Sequence, residues 1–92
     1  MTDKTTAAAQ RSQYILNRVK LVVPALAKLL SDTNINVRYA AARGIQHFGT
    51  NAHQAVPALV LSLRDSSSGV RYAATDALKA IDPEAAAKAG VK

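Results

Sequence analysis

The chain has no cysteine and no tryptophan, and its 92 residues include only four aromatics, three prolines and four glycines. Without cysteine there is no disulfide framework, no thiolate nucleophile and no zinc ribbon. The two histidines, His47 and His53, are six residues apart and neither is followed by glutamate. A metal centre would therefore need carboxylates, and the six acids of the chain are not clustered. No glycine-rich phosphate loop and no Ser-His-Asp grouping can be traced. These absences argue against an enzyme, and no catalytic residue, metal or cofactor is expected. No apolar run is long enough to span a bilayer, and residues 1–10 lack the basic-then-apolar order of a signal peptide. The expectation is a chain with no membrane partner, in a reducing, cytoplasmic compartment.

What the chain does have is alanine, 19 residues of it, against 21 valines, leucines and isoleucines. A core of that composition is built by backbones that approach closely, which is a helical habit. Charge is the second abundance: the net is +6, and residues 4–64 carry eight basic side chains against one acid, Asp32. From Asp65 onward the signs balance, so one half of the chain is electropositive. That bias fits either a well-solvated surface or an attraction for nucleic acid or an acidic partner.

An internal repeat organises the chain. Residues 23–49 superpose on residues 56–82 at an offset of 33, with 11 of 27 positions identical. The identities fall in blocks: Val-Pro-Ala-Leu at 23–26 and 56–59, Leu30/Asp32 with Leu63/Asp65, and Val-Arg-Tyr-Ala-Ala at 37–41 and 70–74. Each unit reads as two helices. In the second, Val56, Leu59, Val60 and Leu63 keep a helical spacing, a turn follows at 64–69, and Val70, Ala74, Ala77, Leu78 and Ile81 resume the period. In the first, the same face is Val37, Ala41, Gly44, Ile45 and Phe48. Asn34 and Ser67 are the expected N-caps of the second helices, and Gly49 an expected helix end. Upstream, Ile15, Val19, Val22, Leu26 and Leu29 extend the apolar spacing without a turn, which predicts one long helix over 7–30, kinked near Pro24. Pro57 falls just inside a shorter helix starting near Ala52. One domain over 1–92 is expected, with 1–6 frayed, 7–49 holding the long helix and first repeat, 50–82 the second repeat, and 83–92 a C-terminal cap.

A helix pair with Pro in the first helix, Asp eight residues later and Arg six after that, as in Pro24/Asp32/Arg38 and Pro57/Asp65/Arg71, resembles the HEAT repeat family. The short HEAT-like repeats of phycobilisome lyases are the most similar type, over about residues 18–90. The resemblance implies an all-α solenoid of two helix pairs, with first helices on the convex side and second helices on the concave side. It also implies that Asp32, Arg38, Asp65 and Arg71 form a structural ladder between turns and neighbouring second helices. It implies no single activity, and the His-Glu iron pairs of HEAT-repeat hydroxylases are absent.

Opposite the apolar face, the second helices display Tyr39, Arg43 and Gln46 in the first unit, with Ala42 and His47 beside them, and Tyr72, Asp76 and Lys79 in the second, with Thr75. The spacing by four and then three puts each set on one stripe. Stacked side by side on the concave surface, the stripes are expected to form a platform for a protein partner, since Tyr and Arg most often anchor interfaces; alternatively, the two tyrosines only cover the seam between repeats. The leading reading is thus a non-enzymatic protein-interaction or scaffold module. The alternative is a nucleic-acid binder using Arg11, Arg18, Lys20, Lys28 and Arg43, whose affinity would fall steeply with salt. Two repeats are fewer than the three that usually make a stable stack. With the N-terminal helix (Tyr14, Ile15, Leu16, Val19) capping one end and a mostly alanine segment at the other, an apolar flank is left over, and a symmetric homodimer is expected to bury it.

Overall fold

The computed structural model describes residues 4–91, with side chains from Gln10 onward. Five α-helices follow one another: α1 (Lys4–Leu29), α2 (Ile35–His47), α3 (Val56–Ser62), α4 (Ser68–Ile81) and α5 (Pro83–Lys88). A 3₁₀ segment, Gly49–Ala55, joins α2 to α3. There is no strand among the described residues, so the all-α expectation holds. Of the start expected to fray, residues 1–3 lie outside the described range, as does Lys92 at the end of the cap. Lys4, Thr5 and Thr6 are already helical, since no glycine or proline interrupts the chain before Pro24. Pro24 lies inside α1, which continues through it. The proline withholds a donor from the Lys20 carbonyl, and burial of Val19, Val23 and Leu30 on either side holds the helix together.

Both predicted N-caps form. Asn34 Oδ1 accepts the Asn36 N–H at 2.8 Å, and Ser67 Oγ accepts the Val70 N–H at 3.4 Å. Gly49 takes φ +54°, a conformation that costs a residue without Cβ little. The first helix of the second unit departs from expectation. In place of a helix starting near Ala52, the chain runs in 3₁₀ form to Ala55, with Ala52 itself outside helical angles, and α3 starts at Val56 with Pro57 in its first turn. There the proline's missing N–H is one of the donors no helix satisfies, so Pro57 marks a helix start where Pro24 sits in a helix interior.

Helix α1 packs on α2, α3 packs on α4, and the two pairs stack chiefly through α2 against α4, with the 3₁₀ segment touching all four helices. The core is one cluster that includes Val23, Ala41, Ala42, Ile45, Leu59, Ala73, Ala74, Ala77 and Leu78. Small side chains at five of these positions let α2 and α4 approach closely. Ala42, expected on the outer stripe, is fully buried, because it lies on the side of α2 that the second repeat covers.

Comparing equivalent positions shows where the stack is open. Ala73 is fully buried and its counterpart Ala40 is exposed. Ser62 is 6% exposed and its counterpart Leu29 40%. Val37, Gly44 and Phe48 are half-buried, whereas Val70, Ala77 and Ile81 are buried. The bare end is therefore that of the first repeat. The expected capping by the N-terminal helix is met only by Val19, which is buried in the core; Tyr14, Ile15 and Leu16 are exposed. The opposite end is the better covered, by α5 with Ala86 buried and by Val91 against the core.

A paired substitution tests this asymmetry. Ala73→Leu overpacks the α2/α4 contact and is expected to cost about 1–3 kcal/mol in urea unfolding. Ala40→Leu, at the equivalent position on the bare end, is expected to change stability by no more than about 0.5 kcal/mol.

Candidate functional site

Two sets of polar side chains bridge the repeats. The first lies on the turn side. Arg38, on the first turn of α2, places Nε 2.8 Å from Asp65 Oδ2 and Nη2 3.1 Å from Asp65 Oδ1, while Nη1 donates to the Asp32 and Thr33 carbonyls at 2.8 and 3.1 Å. Both side chains are about nine-tenths buried, at 11% and 10% exposure. Asp65 Oδ1 also accepts the Ser67 N–H at 2.9 Å. Burial pushes the Asp65 pKa up, but the Arg38 bonds, the Ser67 N–H and the charges of Arg38 and Arg71 outweigh it, so the carboxyl lies below its ordinary 3.8. Only one rung of the implied ladder closes. Asp32 accepts the Asn34 N–H at 2.9 Å and meets no cation among the described residues. Arg71 donates to the Asp65 carbonyl at 2.6 Å and meets no carboxylate there.

The second set lies on the outer stripe of α2 and α4. Arg43 Nη1 donates to Asp76 Oδ2 at 2.9 Å and to Gln46 Oε1 at 3.0 Å, and its Nε donates to Tyr39 Oη at 3.2 Å. The guanidinium carbon is 5.2 Å from the Tyr39 ring centroid. Bonding to Tyr39 and then to Asp76 raises the Arg43 pKa above its ordinary value, so the group remains a cation. Residues 43 and 76 are equivalent in the repeat, and the sequence change between them turns a repeated position into an ion pair. Tyr39, 41% exposed, leans toward the start of α4: a Cβ added at Gly69 would stand 3.9 Å from its Cδ2. Tyr72 stands out at 71% exposure, and Lys79 is exposed on the same helix. Of the six stripe residues, Arg43, Gln46, Asp76 and Tyr39 are brought together, whereas Tyr72 and Lys79 are exposed and make no bond to them.

The basic residues considered for nucleic acid do not converge. Arg11, Arg18, Lys20 and Lys28 lie on α1, where about 3.6 residues per turn puts Arg11 and Arg18 on one face and Lys20 on nearly the opposite one. Arg18 rests over Tyr14, its guanidinium carbon 5.6 Å from the ring centroid. Arg43 belongs to α2 and is committed to Asp76.

Sequence reasoning missed one contact: His53 Nε2 lies 2.8 Å from Asp82 Oδ2, tying the 3₁₀ segment to the α4–α5 corner. The Ala85 N–H and then His53 lower the Asp82 pKa. The Asp-Pro pair at 82–83 signalled the end of the last full helix, but nothing in the sequence linked it to a residue 29 positions away. His47 lies elsewhere, lining a hollow of about 350 Å³ with Ile15, Arg18, Val19, Val22, Phe48 and Asn51.

The family whose sequence model matches the chain is described as HEAT repeats, and the match covers residues 23–89. Neither the curated proteins nor the solved structures contain a match.

Stranding Asp65 by Arg38→Ala is expected to cost about 1–3 kcal/mol, whereas Arg71→Ala, at an exposed position, is expected to cost at most about 0.5 kcal/mol. A carboxyl with a lowered pKa contributes stability that is complete above 3.8 and is lost as pH falls through the folded value. The urea midpoint should therefore fall on acidification below about pH 4, and fall less in Asp65→Asn.

Proposed function

Since the chain belongs to the HEAT repeat family, whose repeats are generally protein-interaction scaffolds, we propose that it is a non-enzymatic interaction module that binds its partner on the outer faces of α2 and α4. Within the family, the 33-residue period and the Pro, Asp and Arg spacing favour the short-repeat type of the phycobilisome lyases. The observation that carries the proposal is the Arg43 cluster. An arginine held by Tyr39, Gln46 and Asp76 across the repeat junction loses little further side-chain freedom on binding. Exposed Tyr39 and Tyr72 beside it supply the rigid aromatic surface that interface anchors use. Lys79 adds a cation that can meet a carboxylate of the partner.

The seam role of Tyr39 and the binding role are separated by two measurements on the same variants. Tyr39→Ala, Tyr72→Ala and Lys79→Ala are expected to leave the melting temperature close to that of the native chain. They are also expected to lose proteins that the native chain retains in affinity capture with mass spectrometry. Variants that melt early and still retain the same proteins would assign these side chains to packing.

A further inference from the structure

The ladder residues left over at the two ends of the stack are complementary, and each is already posed as its bonded counterpart is. Arg38 and Arg71 both direct Nη1 onto a carbonyl of their own turn, Asp32 at 2.8 Å and Asp65 at 2.6 Å. Arg38 then spends Nε and Nη2 on the next repeat's carboxylate. The same two donors of Arg71 meet no carboxylate among the described residues. On the accepting side, Asp65 and Asp32 each take the N–H two residues on, both at 2.9 Å. Asp65 in addition receives the fork of Arg38, and Asp32 receives none among the described residues. Around Asp32 lie the exposed counterparts of positions that the first repeat covers in the second: Leu29 for Ser62 and Ala40 for Ala73.

We propose that copies of this chain associate head to tail, Arg71 of one copy bonding Asp32 of the next and repeating between chains the Arg38–Asp65 link made within each. The occupant of the bare end is thus a second copy, argued from opposite charges at the two ends and from continuity with the interface already present between repeats. Helix α5 packs on α4, and Ala89, Gly90 and Val91 share a hollow with Leu63 and Thr75, so the contact is confined to the turn side, where Arg71 of one copy meets Asp32 of the next. A contact of that extent is weak, and because its two patches differ it propagates into short chains of molecules without closing as a two-fold dimer. It uses neither Arg43 nor Tyr72, and so stands or falls apart from the proposed binding face.

Sedimentation velocity on the full chain from about 10 µM to about 1 mM tests the proposal. The weight-average mass of the native chain is expected to rise with concentration above the 9.7 kDa of one chain. Asp32→Arg and Arg71→Asp are each expected to remain monomeric, since like charges then meet. An equimolar mixture of the two is expected to associate again, because each variant supplies the charge that the other lacks. Asp32→Asn keeps an acceptor for the Asn34 N–H and so preserves the turn, and it is expected to weaken association at least about tenfold. A native chain that stays at one mass throughout overturns the proposal. So does association that persists unchanged in Asp32→Arg, Arg71→Asp and Asp32→Asn, which would place the contact on another surface.

Discussion

The fork between Arg38 and Asp65 is the interaction on which the arrangement of this molecule depends. One guanidinium ties its own turn through the Asp32 and Thr33 carbonyls and the neighbouring turn through a carboxylate held at two points. Such bidentate contacts are directional as well as strong, so they set the register of one helix pair on the other. Asp65 cannot move without giving up the Ser67 N–H, which in turn starts α4. The link is about nine-tenths buried, and every nitrogen and oxygen of its charged groups has a hydrogen-bond partner. That is the condition under which a buried ion pair supports a structure without the cost of an unpaired charge.

An alanine-rich interior makes such a link more consequential. Ala41, Ala42, Ala73, Ala74 and Ala77 bury little apolar surface each, so the α2/α4 contact gains more from closeness than from area. Close backbones tolerate few relative positions. On the outer side of the same contact, Arg43 and Asp76 bridge equivalent positions of the two repeats. The seam is therefore pinned by one buried pair on the turn side and by one partly exposed pair on the stripe, and the stripe inherits its rigidity from the core beneath it.

The positions of the helices were legible because they rest on local chemistry. Asn34 and Ser67 accept N–H groups within three residues, and the apolar period that predicts α4 is the period that is buried. That Tyr39, Arg43 and Gln46 share one face of α2 was legible for the same reason, since a helix face follows from spacing alone. The start of α3 was misplaced because a 3₁₀ segment and an α-helix share the same side-chain requirements over one turn. Ala42 was misplaced because alanine suits an exposed and a buried position equally. The His53–Asp82 contact left no local trace at all.

By itself, the sequence determined the main helices and their caps, which depend on residues within one or two helical turns of one another, and the 33-residue repeat, which needs only a comparison of residue types along the chain. Only the tertiary structure decided which Asp meets which Arg, which end of the stack is bare, and that Tyr14, Ile15 and Leu16 of α1 stay exposed. Those outcomes compare the same residue type at positions that the repeat makes equivalent, as with Asp32 and Asp65 or Ala40 and Ala73. A local pattern assigns equivalent positions the same environment. What separates them is whether another repeat lies against them, and that is a matter of position in the stack.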